Sequence, residues 1–249
     1  IIIEYVRLAW LLEHCADIIP ADCKKIIDTH DVQHLRQGQF HKHGQVHDID
    51  ISPNEEARAL SFCDAALAIQ DKDAKILSQL QPSIEIILAP HPYPITPQVL
   101  PEGKIIRFAF FGSSMAPNQD ALKRLTTRIW PETHKVLGSN AELLIFGNVG
   151  DSQTAPPQSS GIRIEGFVPD LLTAYAQAHI VLNPVAYGGG LKIKSVEALC
   201  LGKPLVTTAI GAEGLEAGAN TAFIQADSDL DFSAAMIALA LDKERRHEL

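Results

Sequence analysis

Ile180-Val181-Leu182-Asn183-Pro184-Val185-Ala186-Tyr187-Gly188-Gly189-Gly190-Leu191-Lys192-Ile193-Lys194-Ser195-Val196-Glu197-Ala198-Leu199 is the stretch that decides the fold. It begins as an apolar run that reads as a buried strand over 180–182. It then passes through three consecutive glycines and enters a helix expected from about 191 to 201. Strand, glycine-rich loop and helix in that order make a repeating unit of a parallel sheet covered by helices.

Working outward, the same alternation continues in both directions. Upstream stand a strand over 105–111 ending at Gly112-Ser113-Ser114, a helix near 118–129, strands over 142–146 and 162–164, and a helix over 170–177. Downstream come strands over 204–207 and 222–224 and a last helix. Before residue 90 the spacing predicts a helix near 4–15, a strand near 24–29, a helix after Asp31, a strand over 65–69, a helix over 71–80 and a strand over 84–88. Ser52-Pro53-Asn54-Glu55 opens a further helix, with Ser52 as cap, Pro53 at the first position and Glu55 placed to close a capping box. Pro90, Pro92, Pro94, Pro97 and Pro101 then fall together, a density that neither a helix nor a central strand tolerates. The expectation is two α/β units, each a Rossmann-like doubly wound parallel sheet: 1–90, a Pro-rich linker over 91–103, and 104–249. With three expected strands, the first unit reads as an incomplete domain that lacks its opening strands, and the chain as truncated on that side.

Composition narrows the function. Of 249 residues 46% are hydrophobic, enough for a buried core and too many for a disordered chain. No apolar run approaches the roughly 18 residues that span a bilayer, and Glu4, Arg7 and Glu13 interrupt the best candidate. The 21 Lys+Arg against 30 Asp+Glu leave a net charge of −9, the wrong sign for nucleic acid, whose binders work by neutralising phosphates. A small anion held by a few placed cations fits better. Cys15, Cys23, Cys63 and Cys200 form no Cys-x-x-Cys pair and read as reduced core thiols, hence a cytoplasmic protein.

The glycine loop carries the chemistry. Glycines let backbone N–H groups approach a ligand, and a helix N-terminus favours anions. Lys192 and Lys194 stand in the first turn, where the helix dipole disfavours each cation by roughly 0.3–1 kcal/mol. A bound phosphate would turn both lysines into an advantage; the competing reading is a loop with two solvated lysines. No Gly-Lys-Ser/Thr of a P-loop and no G-x-G-x-x-G occur, so kinase, ATPase and dehydrogenase readings lose their main support. There is no G-x-S-x-G nucleophile elbow either.

The run from Gly190 through Glu197, Gly202-Lys203-Pro204, Gly211 and Gly214 resembles the donor-binding core of the retaining glycosyltransferases of family four (glycosyl transferases group 1), which have the two-domain GT-B architecture. Phe111-Gly112 with Asn118, Ile129-Trp130-Pro131, Leu144-Ile145-Phe146-Gly147, Gly166-Phe167-Val168-Pro169-Asp170-Leu171 and Leu182-Asn183-Pro184 extend the match over about 105–225. The resemblance implies a nucleoside-diphosphate sugar held by the second domain, a glycan or lipid-linked acceptor on the first, and neither metal nor other cofactor. It makes His30, Lys192 and Glu197 the expected catalytic residues. Gly112, Ser113, Phe167, Val168, Gly188, Gly189, Gly190, Leu191 and Lys194 become the expected donor-binding residues. Glu197 would bind the ribose hydroxyls, and the lysine pair would stabilise the leaving diphosphate. The turn at 166–168 would meet the base, and Gly112-Ser113 the phosphates or sugar. Peripheral membrane association is compatible with such an enzyme, and the resemblance leaves the oligomeric state open.

Two positions depart from the family pattern. Gly189 stands where the first of a pair of Glu usually contacts the donor sugar, and Gly112–Asn118 lacks the usual Arg and Lys. More of the phosphate charge therefore falls to Lys192 and Lys194. A sugar-nucleotide epimerase of the same architecture and a non-catalytic sugar-nucleotide-binding module are the alternatives, the second motivated by Gly189.

In the first unit, Lys25-Ile26-Ile27-Asp28-Thr29-His30-Asp31 resembles the family segment that ends in a histidine near the reaction centre. The carboxyl end of a parallel strand is where doubly wound folds bind ligands, although a purely structural His30 is equally open. His30, His34, His41, His43 and His47 crowd one region, but their spacing matches no zinc pattern, and much of the run reads as a polar loop. The Asp-x-Asp strings at Asp48, Asp71 and Asp227 read as surface charges or caps, and Trp10 and Trp130 as core anchors.

Overall fold

The computed structural model describes residues 1–97, 103–151 and 160–249. Of the expected linker, 98–102 lie outside the described residues. The chain divides into two compact units: Ile1–Pro92 with Tyr187–Leu191, and Tyr93–Ala186 with Lys192–Leu249.

In the first unit β1 (Ile2–Glu4), β2 (Ile26–Asp28), β3 (Ala65–Ala68) and β4 (Glu85–Leu88) pair in chain order, all parallel. Parallel neighbours need crossovers. These are α1 (Trp10–His14), then α2 (Gln33–Lys42) and α3 (Pro53–Leu60), then α4 (Asp71–Leu80). Ile27, Ala66 and Ala68 of the sheet pack with Val6, Ala9, Leu60 and Leu77 in one core. The capping box of α3 forms as read: Glu55 N–H donates to Ser52 Oγ and Ser52 N–H to Glu55 Oε2.

The start of the chain differs from expectation. A strand replaces the beginning of the helix expected over 4–15, because Ile2–Glu4 finds a partner in Ile26–Asp28. Three residues are too few to show strand alternation. Tyr5, at φ 64°, then turns the chain into the short helical turn Val6–Leu8 and α1. Trp10 is 51% exposed and is no core anchor. The polar loop expected around the histidines is partly helix, since α2 runs to Lys42.

The second unit contains β5 (Ile106–Phe111), β6 (Ala141–Phe146), β7 (Ile162–Gly166), β8 (Ile180–Asn183), β9 (Leu205–Thr207) and β10 (Ile224–Gln225). They lie in the order β10-β9-β8-β5-β6-β7, all parallel. From β5 the chain steps outward through β6 to β7, then returns to the other flank of β5 and steps outward again. This is the doubly wound order, and ligands of such sheets sit beyond the strand carboxyl ends at the reversal.

Both faces of β5 are buried, as a sheet covered by helices demands. Phe108 and Phe110 face a core built with Leu122, Leu125, Ile129, Trp130, Phe232 and Met236. Ala109 and Phe111 face the other, with Tyr175, Ala198 and Leu201. The covering helices are α5 (Ala116–Arg124), α6 (Trp130–Leu137), α7 (Leu171–Ala176), α8 (Ile193–Cys200), α9 (Asp229–Leu241) and α10 (Lys243–Glu248). The helix expected over 118–129 runs longer, because a π-helical turn, Leu125–Ile129, joins α5 to α6. Among the described residues no helix is long and apolar enough to cross a membrane. The four cysteines are free thiols, and all are partly exposed rather than core.

Candidate functional site

The carboxyl edge of the second sheet is stitched together by its own loops. Gly112 N–H donates to Phe146 O at 3.0 Å, Gly147 N–H to Gly166 O at 2.7 Å, and Val149 N–H to Gly112 O at 3.2 Å. Glycine is required at Gly147: φ is 90°, and a Cβ would lie 2.2 Å from the Gly112 carbonyl oxygen. The loops after β5, β6 and β7 can therefore converge, and with α8 they line an open cavity of about 420 Å³.

Phe111, Gly112 and Ser113 line it from the end of β5 and the loop after it, Asn118 from α5, Phe167 and Val168 from the β7 turn, and Ile193, Lys194 and Glu197 from α8. Of the residues expected from sequence, the cavity thus brings together Gly112, Ser113, Phe167, Val168, Lys194 and Glu197. Phe167 is 78% exposed, an apolar ring held at the mouth where a flat partner can cover it.

The start of α8 is fixed by a buried polar network. Asn183, at the end of β8, donates to Ser195 Oγ at 2.9 Å, and Ser195 donates to Gly211 O at 2.7 Å. Thr207 Oγ1 donates to Asn183 O at 3.1 Å. No side chain caps the α8 N-terminus, where Lys192 holds the cap position. The two lysines then diverge. Lys192 Nζ sits 3.3 Å from the carboxylate of buried Glu213, which offsets its charge. Lys194 Nζ donates to Asn118 Oδ1 and lies 4.9 Å from the centre of the Phe110 ring. Burial, reinforced by the charge of Lys192 and opposed by Glu197, pushes the Lys194 amine down to about 7.

Glu197 is held by a residue that the sequence did not single out. Tyr175 O–H on α7 donates to Glu197 Oε2 at 2.9 Å, with the Lys194 carbonyl at 3.3 Å. The only sequence signal was a phenol on an otherwise apolar helix face, which needs a polar partner when buried. Glu213 was missed as well, since nothing in its loop marks it as the partner of a lysine 21 positions earlier.

Gly188, Gly189, Gly190 and Leu191 belong by their contacts to the first unit. Gly188 N–H donates to Gln39 Oε1 at 2.9 Å, and Tyr187 stacks on His43 at 4.4 Å. A Cβ on Gly189 would lie 3.0 Å from Arg36 Cβ and 3.2 Å from Asp31 Oδ2. Gly190 has φ +65° beside Asp31 and Ile69.

His30 follows β2 in the same unit at φ 61°, its Nε2 2.7 Å from Glu4 Oε2 and its ring stacked on Tyr5 at 4.0 Å. Ligand atoms of Glu4, Asp28 and His30 lie within 4.8 Å of one another, the one group among the described residues with the make-up to hold a cation. The other histidines do not gather: His34 pairs with buried Glu56 at 2.6 Å, and His47 Nδ1 lies 2.9 Å from Ile49 O. In the last Asp-x-Asp string, Asp227 accepts from Ala209 N–H and Asp229 pairs with Arg124.

The fold matches solved structures of low identity. HepE from Anabaena, solved with UDP and glucose, aligns with a TM-score of 0.66 at 12% identity, over 99% of this chain and 70% of that one. Sucrose-phosphate synthase from Thermosynechococcus elongatus aligns with 0.72 at 13%, over 99% and 65%. TarM from S. aureus, solved with UDP, aligns with 0.71 at 10%, over 98% of this chain but 53% of its own length. These likenesses show the GT-B fold, and the chain spans between about half and 70% of those proteins. No curated protein sequence matches the chain. Residues 106–242, more than half of the chain, match the family Glycosyl transferases group 1, and the protein belongs to that family.

Proposed function

We propose that the protein is a retaining glycosyltransferase of family four that takes a sugar from a nucleoside-diphosphate donor without a metal. The carrying observation is that Lys194 and Glu197, one helical turn apart on α8, line the same cavity as Gly112 at the reversal of the sheet. Lys194 supplies a cation for the diphosphate, Glu197 a carboxylate for the ribose hydroxyls, and Phe167 and Val168 the surface for the base. Lys192 and the 188–191 loop complete the donor site in this reading, and His30 acts on the transferred sugar. The acceptor is a glycan or a lipid-linked sugar bound by the first domain, taken as 1–90 and joined by the linker 91–103 to the donor domain 104–249. The enzyme works in the cytoplasm, where a lipid-linked acceptor would draw it to the membrane surface.

Calorimetry with UDP, GDP and TDP tests the donor site. One of them binds the wild type, and Glu197→Ala or Lys194→Met weakens it at least tenfold; unchanged affinity in both variants overturns the assignment. Anomeric configuration of the product, read by NMR, tests retention.

A non-catalytic binding module is the second reading, favoured by Gly189, which lacks the usual glutamate and where an added side chain would crowd Arg36 and Asp31. Nucleotide binding without donor hydrolysis or transfer would select it, and an isomerised sugar from the donor alone would instead mark an epimerase.

A further inference from the structure

We infer that Tyr175 is a positioning residue, whose hydroxyl holds the Glu197 carboxylate in the orientation that accepts hydrogen bonds from a ribose diol. The inference rests on the assignment of Glu197 to the ribose. Tyr175 is fully buried, 0% exposed, in the last turn of α7. Its ring stacks on Phe111 at 4.0 Å and 15°, and Phe111 stacks on Phe146 at 4.9 Å and 10°. Three rings from α7, β5 and β6 thus fix where the phenol oxygen stands. That oxygen reaches α8 and donates to Glu197 Oε2 at 2.9 Å. Burial and the nearby Glu197 charge keep the phenol protonated, so it is a donor at every working pH.

A glutamate lining an open cavity has three side-chain torsions to fix before it can accept two hydroxyls at once. Tyr175 occupies one oxygen from the protein side and removes most of that freedom in advance, which is how a second contact raises affinity without touching the ligand. The same residue also couples two parts of the cavity. It stands on the helix that begins directly after the Phe167-Val168 turn, where Asp170 caps α7 by accepting from Leu172 N–H. The turn and the carboxylate are therefore held to each other through one side chain.

The test compares UDP with 2′,3′-dideoxy-UDP by calorimetry, using the full chain; GDP and its dideoxy form replace them where GDP binds tighter. Tyr175→Phe keeps the ring stack and deletes only the hydroxyl. The expected result is a loss of about five- to tenfold for UDP and less than about twofold for the dideoxy ligand. On the Glu197→Ala background the same substitution adds no further loss. A merely structural tyrosine would weaken both ligands equally, and that outcome overturns the inference. So does an unchanged UDP affinity in Tyr175→Phe while Glu197→Ala still loses it. If Glu197→Ala itself leaves UDP binding intact, the ribose assignment fails first, and the two failures are told apart.

Discussion

The burial of Lys194 has a cost that pH exposes. An amine whose pKa drops from 10.5 to about 7 on folding binds fewer protons folded than unfolded. Stability therefore rises with pH between those values: the penalty is complete below about 7 and gone above 10.5. Lys194→Met should be more stable than wild type in denaturant melts at pH 6.5, with an advantage that shrinks by pH 9.5. A variant less stable at both pH values would show that the amine's bond to Asn118 outweighs its burial. A diphosphate bound at the proposed donor site would call the proton back, so nucleotide affinity should fall by up to about tenfold per unit as pH rises above 7. Calorimetry at pH 8, in buffers of different ionisation heat, should register proton uptake. Lys194 is legible in the sequence through its conflict with the helix dipole. Tyr175 and Glu213 are not, because which side chains pair across β-α loops is set by the sheet order and leaves no local pattern.

At the scale of elements, the loops beyond β5, β6 and β7 stand or fall on Gly147. Its conformation, φ 90° and ψ 173°, costs any other residue about 1–3 kcal/mol. A Cβ would also press on the Gly112 carbonyl at 2.2 Å, and a backbone atom cannot step aside cheaply. Gly147→Ala should lower the melting temperature by about 5 °C or more and weaken UDP binding, because Gly112 lines the cavity. Gly138→Ala is the control: φ is +56° but nothing lies within 4 Å of the added carbon, so it loses stability alone and keeps nucleotide affinity. Equal nucleotide binding in the two variants would show that the loop junction does not shape the site. Elements were legible where local chemistry decided them, as at Ser52 and Glu55, whose capping box is written in four consecutive residues. They were illegible where only a distant partner decides: Ile2–Glu4 is a strand because β2 lies beside it, and nothing within three residues says so.

At the scale of the whole molecule, each unit has its own parallel sheet and its own core, and alternation along the chain is enough to read both. Strand order is not written that way. The return of the chain from β7 to the far flank of β5 creates the crevice, and periodicity alone is blind to it. The two tryptophans offer a way to ask which unit the nucleotide stabilises. Trp130 is 2% exposed in the second unit's core, where its indole N–H donates to Ser160 O at 2.7 Å. Trp10, in the first unit, is half exposed and stands edge-on to His14, so Trp10→Phe should leave the fold intact. In that variant tryptophan fluorescence reports the second unit alone. Nucleotide at a hundred times its Kd adds about 2.7 kcal/mol to whatever it binds, a rise of roughly 5–10 °C for a unit of this size. The Trp130 melting transition should rise by that amount with UDP or GDP, whichever calorimetry shows to bind, and Glu197→Ala should cut the rise by about half or more at the same concentration. Binding seen by calorimetry without any movement of the Trp130 transition would place the nucleotide away from the β5–β8 crevice and remove the basis for the donor site.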